Sequence, residues 1–182
     1  MRDSRLKTDM EFLLISNLEL EISNPFFVAF VVKRIVNKEE DMNFKEYASF
    51  ANENRTCYLA TVEGDQPRVR CLGMWYADET GFYFQAQTVK AMCKQLLENP
   101  KVEVYFNAKD FSKVMRVSGK IRFIEDLDVR ARCIEERPFV KNFGITEPNN
   151  PLLAVFHLYT GEAYFWTMAD SMKEAQIPRV KF

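Results

Sequence analysis

The sequence predicts a mainly β protein with a few helices, in which about six antiparallel strands across residues 43–168 form a closed or split barrel. Three observations point there. Aromatic residues are 14% of the chain, with 16 phenylalanines, and flat rings pack well on a pleated, half-buried surface. Short alternating apolar runs recur from Thr56 to Met168, separated by turn residues. A helical pattern interrupts them after the third run, and strands this apolar need closure to hide their edges.

Composition bounds the rest. At 182 residues the chain is long enough for one domain plus an extension, with a core that needs no cross-links. Hydrophobic residues at 47% and charged residues at 28% are globular proportions. A net charge of −1 argues against a general nucleic-acid binder, although a local Arg/Lys cluster still suits a small anion. The four cysteines, Cys57, Cys71, Cys93 and Cys133, show no C-x-x-C spacing. Neither a zinc framework nor a disulfide scaffold is expected, and small buried thiols suit a reducing cytoplasm. The single histidine, His157, rules out a multi-imidazole metal site within one chain. It lies in the apolar run Leu152–Leu158, so a core or interface histidine is expected. With so few acid–base and nucleophilic groups, any catalysis would draw its reactivity from a cofactor.

The elements follow in order. Residues 1–42 read as an extension, either a helix or strand packed on the domain or a stretch upstream of a start at Met42. Its apolar patches, Phe12–Ile15 and Phe26–Val32, fall well short of the roughly 20 residues of a membrane span, and no small-residue cleavage site marks a signal peptide. Asn43–Glu53 is an amphipathic helix with Phe44, Tyr47, Ala48 and Ala51 on one face and Asn43 and Glu46 at capping-box spacing. Thr56–Val62, Pro67–Tyr76 and Phe82–Ala86 form a meander, turning at Gly64-Asp65 and at Asp78–Gly81. A helix over Val89–Glu98, with Met92, Cys93 and Leu96 inward, stops at Asn99-Pro100. Lys101–Asn107 and Val114–Ile124 are strands, the second bent near Gly119. Asp126–Glu136 is a charged helix with its acids first, and a turn-rich loop runs to Pro151. Leu152–Leu158 and Glu162–Met168 read as a closing hairpin around Thr160-Gly161. Residues 169–182 read as a polar, mobile tail.

Two segments carry candidate chemistry. In Gln85-Ala86-Gln87-Thr88-Val89-Lys90 a strand ends and a helix begins, so free backbone N–H groups and the helix dipole point beyond Thr88. Lys90 in the first turn opposes that dipole, and a bound anion would offset the conflict. Thr88 could cap the helix or donate to the anion. In Pro67-Arg68-Val69-Arg70-Cys71-Leu72-Gly73-Met74, Arg68 and Arg70 share one face of a strand and suit a phosphate. Gly73 lacks a side chain, so a flat ring can approach the backbone there. Read alone, the first segment is a solvated helix start and the second an exposed basic edge.

The order and spacing of these segments resemble the pyridoxamine 5′-phosphate oxidase-like, FMN-binding split-barrel superfamily. The likeness covers about Phe44 to Met168. It rests on Arg70, the aromatic strand ending at Gln85, Thr88, Lys90, Gln95-Leu96 and Asn99-Pro100-Lys101-Val102, then Arg116–Ile121 and Gly161–Trp166. The resemblance implies an FMN site at a homodimer interface. It places the phosphate and flavin on Arg70, Cys71, Leu72, Gly73 and Met74, the ring near Phe84 and Gln85, the phosphate also on Lys90, and Trp166 near the flavin from the partner subunit. The usual Arg-Lys pair at the helix start is Val89-Lys90 here, with Arg68 or Arg116 as candidates for the missing charge. The oxidase's fifth-strand glutamine falls near Val114, and its C-terminal substrate-binding Arg and His are absent. The resemblance is therefore to the shorter, general members, not the true oxidase. It implies an FMN-dependent oxidoreductase acting on a small molecule, with NAD(P)H as a candidate donor. The alternative is a non-catalytic protein binding flavin, deazaflavin or haem, with His157 as the only imidazole ligand.

Overall fold

The computed structural model describes residues 44–182, together with Pro25, Val28 and Ala29. The expectations for the rest of residues 1–43, including the Asn43 cap and the start at Met42, lie outside the described residues. Helix α1 covers 44–53. Strands β1 (Thr56–Glu63), β2 (Gln66–Asp78) and β3 (Gly81–Gln87) follow, then helix α2 (Ala91–Glu98). Next come β4 (Lys101–Asn107), β5 (Val114–Phe123), helix α3 (Leu127–Glu136), β6 (Leu153–Trp166) and a short β7 (Val180–Lys181).

The strands form one antiparallel sheet in the order β3-β2-β1-β4-β5-β6-β7, and β3 also pairs with β6. The first six strands thus close on themselves, with β2 left unpaired on its β3 side over Gln66–Gly73. Alternation decides the interior: Leu59, Met74, Phe84, Val104, Phe106, Val117, Phe156 and Leu158 all lie in one core. The predicted face of α1, Phe44, Tyr47, Ala48 and Ala51, packs into it. A second cluster outside the barrel joins Trp75, Leu153 and Val155 to Cys133 and Ile134 of α3 and to Val140 and Ile145. That explains why Leu153–Leu158 is buried on both faces. Asp126 caps α3 by accepting from Asp128 N (2.9 Å) and Val129 N (3.1 Å). The loop beyond it coils into a 3-10 helix over Pro138–Phe143.

Three expectations are corrected. Leu152–Met168 is not a hairpin; β6 runs unbroken through Thr160-Gly161 and pairs along β5. Gly161 sits opposite Gly119, where a Cβ on either would lie 2.0 or 2.2 Å from a carbonyl oxygen of the facing strand. The glycine is there for close approach, and the pairing shifts register nearby, between Lys120 and Ile121. Residues 169–182 are not a loose tail. They hold two 3-10 turns and β7, and Phe182 stacks on Phe44 (4.6 Å) and packs edge-on to Phe82 (5.4 Å). Helix α2 starts two residues later than expected, with Lys90 at its cap position and no side-chain cap. Thr88 cannot cap it, because its hydroxyl donates to Pro151 O (2.9 Å) and its N–H to Leu152 O (3.0 Å).

Candidate functional site

The barrel opens at one place. β2 pairs with β1 over Gln66–Gly73, but with β3 only over Met74–Asp78. Beyond Phe84, β3 continues against β6 alone, and a bulge between Met74 and Tyr76 marks the divergence. Met74 N donates to Arg55 O (2.8 Å). Because peptide groups alternate sides along an antiparallel strand, those of Cys71 and Gly73 then point away from β1, into the gap. A cavity of ≈ 190 Å³ fills it. Its walls are Cys71–Gly73 on β2, Gln85–Gln87 on β3, Lys90, and Arg137, Phe139, Val140 and Ile145 from the segment after α3.

Two polar atoms here are buried without partners: Gln85 Oε1 and Arg137 Nε. Buried polar groups are nearly always satisfied, so an orphaned acceptor and an orphaned donor lining one cavity fit a polar ligand. Arg137 donates through Nη1 to Met74 O (3.3 Å) and lies over the Phe139 ring (5.1 Å). A Cβ on Gly73 would meet Arg137 Nη2 at 3.3 Å, so the space the glycine leaves borders on the guanidinium. Burial pulls the Arg137 pKa below the usual arginine value, and nearby Arg55 pulls the same way. Among the described residues, neither Lys90 nor Arg137 has a carboxylate within salt-bridge distance.

Of the residues predicted from sequence, Cys71, Leu72, Gly73, Gln85 and Lys90 converge on this cleft. The side chains of Met74 and Phe84 are 0% exposed and belong to the core, so only their backbone can border it. Thr88 is tied to the loop before β6. Arg70 turns under α2, donating to Thr61 Oγ1 (2.6 Å), Gln95 Oε1 (2.7 Å) and Leu59 O (3.2 Å). Arg68 pairs with Glu63 (2.7 Å). Strand alternation sets both arginines opposite to Cys71 and Gly73. Arg116 is held between Glu103 and Glu174, each at 2.5 Å. Trp166 ends β6 opposite Val114. Neither Arg68 nor Arg116 therefore lines the cleft to replace the charge missing at Val89, which is 78% exposed. The cation that lines it besides Lys90, Arg137, carries no motif in the sequence. Only the return of α3 to β2 brings it there.

His157 and Cys71 also bear on the candidate chemistry. The His157 ring is 1% exposed and stacks on Tyr83 at 4.0 Å. Its Nε2 donates to Thr80 O (2.8 Å) while Nδ1 faces Arg122 Nη2 (3.4 Å). Both ring nitrogens are engaged, which leaves no free lone pair for an axial ligand. Cys57, Cys93 and Cys133 are buried as expected, but Cys71 is exposed at the rim of the cleft. It lies on the outward face of β2, where β3 has moved away.

A six-stranded closed barrel parted between two strands, with a polar cleft at the parting, is a split barrel of the pyridoxamine 5′-phosphate oxidase-like, FMN-binding superfamily. Residues 44–167 match the model of the pyridoxamine 5′-phosphate oxidase family, and the chain belongs to that family. A pyridoxine/pyridoxamine 5′-phosphate oxidase from Azorhizobium caulinodans is 28% identical over 131 residues, which is 70% of this chain and 60% of that protein. The chain thus spans less than two thirds of that relative's length. A NimC/NimA family protein from Clostridium acetobutylicum is structurally similar, with a TM-score of 0.63, 27% identity, and coverage of 77% of this chain and 94% of that one. A pyridoxamine 5′-phosphate oxidase-related, FMN binding protein from Nostoc punctiforme shares the fold at a TM-score of 0.58, with 16% identity and coverage of 76% and 94%. Among the described residues, no helix is long and apolar enough to cross a membrane.

Proposed function

We propose that the cleft between β2 and β3 holds FMN and that the protein is a homodimeric, cytoplasmic oxidoreductase acting on a small molecule. One observation carries this reading. The barrel parts where unpaired peptide groups of Cys71 and Gly73, the orphaned Gln85 Oε1 and an unneutralised Lys90 line the same cavity. These groups fit the cofactor's chemistry. An isoalloxazine ring presents a ring N–H and two carbonyls along one edge, which suit an amide acceptor and backbone donors. A phosphate suits Lys90 and the free N–H groups that open α2. Met74 and Phe84 anchor the neighbouring Gly73 and Gln85 by packing into the core. Arg70 braces α2 through Gln95, and Trp166 and the exposed Tyr58 and Val69 are offered to a partner subunit. When bound, FMN supplies two-electron transfer, and the protein supplies binding, orientation and electrostatics. A nicotinamide dinucleotide is the proposed donor.

The test is direct. The purified protein should carry, or take up, FMN, seen by flavin absorbance and by quenching of flavin fluorescence on titration. Lys90→Ala should weaken FMN about tenfold or more, as expected for loss of a charge-assisted contact worth about 1.5–3 kcal/mol. Anaerobic addition of NADH or NADPH should then bleach the bound flavin. A protein that neither carries flavin nor quenches added FMN refutes the proposal.

A further inference from the structure

Resting on the reading of the cleft as an FMN site, we infer that Arg137 is the cation at its ring end, which favours the reduced, anionic flavin over the oxidised one. The two cations of the cleft are at opposite ends. Lys90 follows Gln87 at the end where α2 begins, and the Arg137 guanidinium lies beside Gly73 and Met74. Met74 faces Phe84 in the ladder, so along the two parting strands Gly73 is level with Gln85 and Cys71 with Gln87. Two strand residues, about 7 Å, separate the Gly73 end from the Cys71 end. A ligand that puts its phosphate on Lys90 therefore lays its body toward Gln85 and Arg137, which hold the cavity's two orphaned polar atoms.

The electrostatics agree. Arg137 has no carboxylate within salt-bridge distance among the described residues, and the charge of Arg55 acts on it in the same direction as burial. A half-buried guanidinium between a like charge and an apolar wall (Phe139, Val140 and Ile145) is an uncompensated positive site. Adding two electrons and one proton to an oxidised flavin leaves one negative charge on the N1–C2=O edge of its ring. A fixed cation there stabilises the product more than the starting form, and so raises the potential.

The experiment compares the full chain with R137Q, R137K and K90A. Gln keeps a donor for Met74 O but no charge, and Lys keeps the charge; thermal melting checks that each variant folds. Affinities for FMN and riboflavin are read by fluorescence quenching, and the potential of bound FMN by anaerobic reduction against a reference dye. R137Q should weaken FMN and riboflavin by the same factor, because the lost contact is to the ring. It should also weaken reduced flavin about tenfold relative to oxidised, a fall of about 30 mV for a two-electron couple. R137K should keep the wild-type potential, and K90A should weaken FMN but leave riboflavin unchanged. The inference is overturned if R137Q leaves the potential unchanged, if it weakens FMN alone, or if R137K behaves like R137Q. A wild-type chain that binds neither flavin overturns the FMN reading itself, and this inference with it.

Discussion

Replacing Gly161 by alanine probes the middle of β6, where the sequence suggests a turn and the fold has a continuous strand. In the fold, the added methyl would lie 2.0 Å from Ser118 O and 2.8 Å from Gly119 Cα. Carbon and oxygen in contact across a sheet sit about 3.3–3.6 Å apart, so β5 and β6 would have to separate by about 1 Å at this point. Strands are spaced about 4.8 Å apart, and a shift that large breaks the adjacent ladder hydrogen bonds. Two or three bonds at about 1 kcal/mol each, set in a packed barrel that resists overpacking, give a loss of about 3 kcal/mol. That corresponds to a fall in melting temperature of about 6–12 °C for a chain of this size. Gly64→Ala is the control. Gly64 is at a true hairpin turn, with φ +62° and nothing within 4 Å of an added Cβ, so only the left-handed backbone penalty of about 1–2 kcal/mol applies. Urea and thermal unfolding of both variants, followed by circular dichroism, would check this. If Gly161→Ala lost less than Gly64→Ala, the close-approach argument would be refuted.

Two further outcomes follow from burial. Burial holds the His157 pKa below its usual value, with Arg122 acting in the same direction, so the unfolded chain binds this proton more readily than the folded one. The stabilisation is complete above about pH 6.5 and is lost as pH falls, at no more than about 1.4 kcal/mol per pH unit. Urea midpoints should therefore drop from pH 6.5 to 5.5 in the wild type and drop less in His157→Gln; equal slopes would falsify the assignment. Burial also pushes the Cys57 thiol up to about 12 and Cys133 up to about 11, and raises Cys93, which leaves Cys71 as the exposed thiol. A thiol-specific disulfide reagent should titrate one fast thiol in the native protein and none in Cys71→Ser. Two fast thiols in the native chain would contradict the burial pattern.

Local rules in the sequence determine most of the strands. Alternation in Val102-Glu103-Val104-Tyr105-Phe106, the two-residue turn at Gly64-Asp65, and Asp126 before a helical pattern each specify their geometry without help from distant residues. The family likeness followed from the same stretch, because Arg70, Gln85, Thr88 and Lys90 keep their order along the chain. Cys71, Leu72, Gly73, Gln85 and Lys90, which line the cleft, were legible as candidates for that reason, since a strand edge and a helix start are local features. The tertiary structure decided what depends on facing partners. Gly161 looks like a turn until Gly119 is set opposite it, and Phe182 looks like tail until Phe44 stacks on it. Arg68, Arg70 and Arg116 look like available charges until Glu63, Thr61, Gln95, Glu103 and Glu174 occupy them. Arg137 is the converse case, an unremarked arginine at the end of a charged helix. It reaches the cleft because the barrel closes through β6 and carries the segment after α3 back against β2. A side chain's charge can be read from the sequence; whether that charge is already compensated depends on which distant residues the fold brings to it.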